Sequence, residues 1–250
     1  MIDVVYANTL RTEEIKRVLS RYGHLLRGKE LLEIGSGTGT QLQFLAGVCR
    51  SVVGIDLANS IYAACRKGDV VEYDGQTIPF PKESFDVLFS SNVLEHIRNE
   101  PGIHHEMHRV LRRKGLAFHV VPTSTWRLWT VLAHYIAGPR NFLRRRREKP
   151  IPGVSDIQPQ RRNWRNQLLN ALIEERHGEF GNRLNEFFML RASAWRRRFE
   201  ANGWAVEAVE PLGLAYTGHS LFSNRLEIKT RTSLAKIIGS SAVLVVARPH

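Results

Sequence analysis

The sequence predicts an α/β fold, a largely parallel sheet with helices on both faces. Short apolar runs alternate with stretches of helical spacing through the first 122 residues, as in βαβ units. Directly after the first such run, "LLEIGSGTGTQLQFL" places three glycines in five positions, a strand-to-helix turn at what should be a carboxyl end of the sheet. The alternation then lapses after Pro122 and returns near residue 186.

Leu10, Ile15, Val18, Leu19 and Leu25 give residues 10–26 the spacing of an amphipathic helix. Strand-like runs follow at 30–34, 51–55 ("SVVGI"), 69–73 and 85–90 ("FDVLFS"), with helical or turn material between them. "GIHHEMHRVLRR" reads as a helix through residue 113 and "GLAFHVVP" as a fifth strand. Beyond the irregular segment come a single helix "EFFMLRASAWRRRFEANGW", a strand "AVEAVEP", a helical stretch near 224–238 and a last strand "AVLVVARP". The expected organisation is a core of residues 1–122, a cap insertion of 123–185 and a completion of the core by 186–250.

With 250 residues, the chain is long enough for one large α/β core carrying an insertion. Cys49 and Cys65 are its only cysteines, too few for a disulfide framework or a zinc site. "MIDVVYANTLRTEE" lacks the apolar stretch of a secretory signal, and no run reaches the roughly 20 apolar residues of a spanning helix. The expectation is a cytoplasmic location. Net charge is +12, and residues 140–200 hold fifteen Arg or Lys against seven acids. Such a block calls for an anionic neighbour: nucleic acid, anionic lipid or a phosphate-bearing substrate.

Glycines in the turn Gly35-Ser36-Gly37-Thr38-Gly39 permit φ > 0 and a close approach of ligand to main chain. The N–H groups of the helix that follows favour a carboxylate, phosphate or hydroxyl at the same place. That is a nucleotide-site geometry. Dinucleotide folds want G-x-G-x-x-G, and here the third glycine position is Thr40, which weakens a nicotinamide reading. Asp56, ending the second strand, suits the ribose hydroxyls of any adenosine ligand.

Glu33 before the glycines, then "GIDLA" and "YDGQTIPFPKESFDVLFSSNVLEHI", resemble in order and spacing the class I S-adenosylmethionine-dependent methyltransferases of small-molecule type. The resemblance covers roughly residues 29–121 and implies a Rossmann-like sheet of seven strands, the last one antiparallel, with S-adenosyl-L-methionine as cofactor. By that resemblance Gly35, Ser36, Gly37, Thr38 and Gly39 pass the methionine moiety and Glu33 holds its ammonium. Asp56 takes the ribose diol, with Leu57 against the adenine. Asp74 accepts from the adenine amino group, the Gly75 N–H donates to a ring nitrogen, and Ser91 and Asn92 line the floor near the sulfonium. Glu95 and His96 match the family's "LEH" turn, whereas the usual "KPGG" turn is "RRKG" here.

The cofactor brings the activated methyl group, so the protein has to orient the acceptor, and an oxygen acceptor usually needs a base. His96 and His219 are the candidate catalytic residues, with His134, Tyr135 and Tyr216 as further guesses. No metal is expected: His104 and His108 share a helix face, but no acid or fourth ligand accompanies them. An Asn/Asp-Pro-Pro-aromatic loop, which marks amino-methylating relatives, is absent after the fourth strand, so a hydroxyl or carbon of a small molecule, glycan or lipid-linked sugar is the expected acceptor. RNA and a non-catalytic binding role are the alternatives. In "TWRLWTVLAHYIAGPRNFLRRRR", residues 126–147 join aromatic residues to an arginine cluster, which suits an anionic membrane surface more than nucleic acid, the third reading being an ordinary cap whose arginines are a solvated face or grip a sugar nucleotide's pyrophosphate.

Overall fold

A computed structural model describes residues 4–147, 183–217 and 225–250. Much of the expected cap, residues 148–182, lies outside the described residues, as does His219. The elements are α1 (Val4–Leu26), β1 (Glu30–Ile34), α2 (Thr40–Ala46), β2 (Ser51–Leu57), β3 (Val70–Tyr73), β4 (Phe85–Ser91), α3 (Glu100–Val110) and β5 (Leu111–Pro122). After them come α4 (Ser124–Arg147), α5 (Arg183–Met189), α6 (Ala192–Ala201), β6 (Trp204–Pro211), α7 (Ile228–Ile238) and β7 (Ala242–Pro249). The seven strands form one sheet in the order β3-β2-β1-β4-β5-β7-β6. Pairings from β3 to β5 are parallel, and β7 runs antiparallel to both β5 and β6. The order reverses between β1 and β4, so a crevice is expected at the carboxyl ends of those strands.

Alternate residues of the central strands enter two cores. Leu32, Ile34, Leu88, Ala117, Val243 and Val245 face α3 and α6 through Ile103, Met107, Trp195 and Phe199. Leu31, Val87, Phe89, Phe118, Leu244 and Val246 meet Ile15, Val18 and Leu26 of α1 and Leu45 of α2. Burial on both faces is why these strands read as continuous apolar runs rather than as alternation. Tyr6 and Leu10 of α1 belong to the first core and the rest of its apolar face to the second, so α1 crosses over the strand ends.

Three expected boundaries change. The helix ends at Val110, because Leu111 already pairs with Phe85 and Arg112 reaches across to Glu30 and Asp86 at the start of β1 and β4. The helix foreseen from residue 186 is two helices broken at Leu190 and Arg191. There the Leu190 carbonyl accepts from Ser124 N (3.1 Å), tying the break to the start of α4, and Arg191 is extended as the N-cap of α6. α1 begins six residues earlier than its apolar spacing implied, with Tyr6 buried against the core.

Two of the three histidines of α3, His104 and His108, are structural. His104 Nδ1 accepts from Trp204 Nε1 (2.8 Å), and His108 stacks on Trp204 with ring centroids 4.1 Å apart. Both hold α3 against β6.

Candidate cofactor site

The glycine turn sits where β1 meets α2, at the carboxyl end of the sheet. Gly35 N and Ser36 N both donate to the Ile55 carbonyl (2.8 and 3.0 Å), which fixes the turn to β2. Gly35, Gly37 and Gly39 all have positive φ. At Gly39 a Cβ would come within 2.0 Å of the Lys67 carbonyl oxygen, and at Gly35 within 2.4 Å of Val93. Only bare backbone fits between those walls. The sequence reading missed a fourth glycine: a Cβ on Gly54 would meet Ser36 Oγ at 2.6 Å, so β2 must be bare where the turn leans on it. α2 has only seven residues, so its N-terminal field is a smaller contribution than the turn's own N–H groups.

Two carboxylates flank the turn. Glu33 and Asp56 are both buried, and Glu33 Oε2 and Asp56 Oδ2 have no hydrogen-bond partner. Burial, reinforced by the negative charge of Asp56, pushes the Glu33 carboxyl up to about 8. Asp56 Oδ1 accepts from Leu57 N (2.9 Å), and Arg66 Nη2 stands 3.7 Å from Oδ2. A buried carboxylate oxygen without a donor is costly, and a ligand carrying an ammonium and a diol supplies the missing donors. These residues therefore fit the methionine and ribose ends of S-adenosylmethionine. Nothing at Thr40 restores a dinucleotide pattern, since its hydroxyl is within 2.8 Å of Thr38 Oγ1.

The remaining predicted ligands lie around the same end. Leu57 is exposed, and its Cδ2 would stand 2.9 Å from a Cβ on Gly75, so the two frame one slot. Asp74 is exposed and spends Oδ1 on the amides of Gln76 and Thr77 (2.8 Å each), which hold it below the usual carboxylate range. Ser91 is buried, and Asn92 has φ 55 with its amide donating to the Val120 carbonyl (2.8 Å). That left-handed turn, adopted by a non-glycine residue, lies at the end of β4 beside the glycine loop.

Among the candidate bases, His96 is largely exposed, with Nε2 3.9 Å from Glu95 Oε1. His134 and Tyr135 sit on α4, Tyr135 exposed. Tyr216 is buried and donates to Glu14 Oε1 (2.7 Å), and burial with the nearby Glu14 charge raises it well above an ordinary phenol. A phenol held protonated is a poor base, so Tyr216 is a structural anchor for α1. The residue undervalued by sequence is Glu95, on the single 3-10 turn Leu94–His96 that follows β4. It is buried, neither carboxylate oxygen has a hydrogen-bond partner, and burial outweighs the opposing charge of Arg11 to push it up to about 7. α1 closes the site from above, where Asn8 Oδ1 accepts from Thr38 Oγ1 (3.3 Å).

A family described as "Methyltransferase domain" matches residues 32–119, the segment that holds all of these groups up to β5. Residues 32–119 carry a class I S-adenosylmethionine-dependent methyltransferase domain. S-adenosylmethionine is the cofactor of that domain. An uncharacterized methyltransferase of Mycobacterium marinum is 30% identical over 150 residues, 55% of this chain and 58% of its own length. The chain spans about half the length of the curated relatives it matches. In fold it is similar to a SAM-dependent methyltransferase from Aquifex aeolicus (TM-score 0.52, 15% identity, 94% of this chain and 89% of that one). It is also similar to the [4+2]-cyclase SpnF (TM-score 0.53, 15% identity, 95% of this chain and 81% of that one). A methyltransferase and a cyclase on one fold show that the reaction is decided by the site and not by the sheet.

Proposed function

We propose that this methyltransferase domain transfers a methyl group to a hydroxyl, or a carbon, of a small molecule, with a glycan or lipid-linked sugar as the preferred class. The observation that carries the reading is the pair of buried carboxylates with unpartnered oxygens, Glu33 and Asp56, flanking a turn in which Gly35 and Gly39 leave no room for a side chain. S-adenosylmethionine supplies a methyl carbon activated by its sulfonium. Glu33 and Asp56 hold the two polar ends of the cofactor, and the Gly35–Gly39 backbone and α1 exclude water from it. With the cofactor bound, Glu95 would accept the proton of the acceptor hydroxyl at a carboxylate oxygen. A group pushed up to about 7 suits such a transfer near neutral pH. His96, exposed beside Glu95, passes that proton to solvent. His219 stays a second candidate, to be tested alongside.

The test is a panel of hydroxylated glycans, lipid-linked sugars and RNA incubated with cofactor and read by gain of one methyl in mass. A methylated glycan or lipid, with kcat lowered roughly a hundredfold in Glu95→Gln and KM for cofactor unchanged, is the expected result. Methylation confined to RNA, or full kcat in Glu95→Gln, overturns the acceptor class or the base respectively.

A further inference from the structure

We propose that α4 is an amphipathic docking helix for an anionic membrane surface. Nine large apolar side chains are exposed among the described residues. Three of them, Leu57, Ile61 and Val71, lie in or beside strands β2 and β3. The other six gather on α4 and the helices packed against it, which is why the cluster calls for an occupant.

Leu128 (43% exposed), Leu132 (41%), Tyr135 (53%) and Ile136 (67%) fall at i, i+4, i+7 and i+8, one stripe of α4. Its opposite side is buried through Trp126 and Ala133, and Arg127 is sealed in a buried pair with Glu186 of α5 (2.8 Å). Trp129 Nε1 donates to the Ile238 carbonyl (3.1 Å), which brings the end of α7, with Ile237 83% exposed, to the flank of the stripe. The tryptophans expected at an interface are thus tied into the fold, and the aliphatic residues take their place.

Charge selects the partner. α4 contains no acidic residue and continues through the run Arg144–Arg147. An apolar stripe sharing a helix with a cationic run matches anionic headgroups above acyl chains. No described helix is long and apolar enough to cross a membrane, so α4 lies on the surface.

The test sediments the full chain with phosphatidylglycerol-containing vesicles and with pure phosphatidylcholine vesicles. Two variants accompany it: Leu132→Ser with Ile136→Ser, and Arg144, Arg145, Arg146 and Arg147 all changed to Gln. Wild type is expected to pellet with the anionic vesicles, each variant to need roughly tenfold more lipid, and about 0.5 M salt to release the wild type. The serine variant keeps the wild-type melting temperature, because Leu132 and Ile136 are exposed. No pelleting with anionic vesicles, or equal pelleting of wild type and the serine variant, overturns the proposal. So does a dimer in sedimentation velocity that the serine variant dissolves, which assigns the stripe to a second copy. None of these readings depends on the methyl acceptor.

Discussion

The two ends of the parallel strands carry similar residue types and use them in opposite ways. At the amino ends, Arg112 binds Glu30 (2.6 Å) and Asp86 (3.0 Å), and Asp86 also accepts from Glu30 N (3.0 Å). Burial works against ionisation of Asp86, yet these donors hold it below the usual range. A cleft of about 510 Å³ opens there between Lys29, Asp86, Arg112 and Lys114, with Arg112 already committed to acids. At the carboxyl ends, Glu33, Asp56 and Glu95 are buried, and none has all its oxygens satisfied by the protein. Paired charges register strands. Buried carboxylates without donors cost stability and are kept where a ligand completes them.

The largest expected break of this contrast is Gly39→Ala. Its Cβ would overlap the Lys67 carbonyl, and a positive φ adds strain, so a loss of about 2–4 kcal/mol in stability and undetectable cofactor binding are expected. Thermal melting with and without S-adenosylmethionine checks both.

Glu33→Gln sharpens the comparison through pH. With its carboxyl raised from 4.5 to about 8, folded protein keeps a proton there that the unfolded chain loses, so this group's contribution to stability falls as pH rises between those values. Cofactor affinity runs the other way, because an ammonium favours the ionised carboxylate and binding strengthens toward pH 8. In Glu33→Gln the affinity is weaker by roughly tenfold at pH 8 and the slope of Kd with pH between 6 and 8 flattens, as titration calorimetry would register. His119, buried and lowered to about 3, contributes the opposite stability trend: the unfolded chain takes up a proton below 6.5 that the folded one refuses, so stability from this site falls as pH drops from 6.5 toward 3. Loss of that acid limb in His119→Gln, followed by melting temperature, separates the two groups.

The smallest effect is expected at the amino ends. Arg112→Ala removes two ion pairs that are more than a third exposed on the arginine side, so about 0.5–1 kcal/mol of stability and no change in cofactor Kd are expected from denaturation and calorimetry.

The glycine turn and the acids at the strand ends were legible in the sequence, because their signals are local. A glycine that must accept φ > 0 and an acid that ends a strand are visible in a few consecutive residues. Gly54 escaped notice because its reason lies eighteen residues away in Ser36, a contact that exists only once β1 and β2 pair. Glu95 was read as part of a motif, but its burial and its lack of a donor depend on how α1 crosses the strand ends. Trp126 and Trp129 misled for the same reason, since a tryptophan near arginines looks alike in a core and at an interface until its neighbours are known. The end of α3 at Val110 was hidden because "LRR" continues a helical spacing, and only its long-range pairing with β4 and the acids of β1 makes it strand.

The measurement that bears most directly on the contrast between the two ends is calorimetric titration of S-adenosylmethionine, and separately of NADH, into wild type and Asp56→Ala. Expected are binding of S-adenosylmethionine alone, a loss of roughly a hundredfold or more in Asp56→Ala, and an unchanged melting temperature of that variant without cofactor. Binding of NADH, or undiminished S-adenosylmethionine affinity in Asp56→Ala, would contradict the assignment of the buried carboxylates to this cofactor.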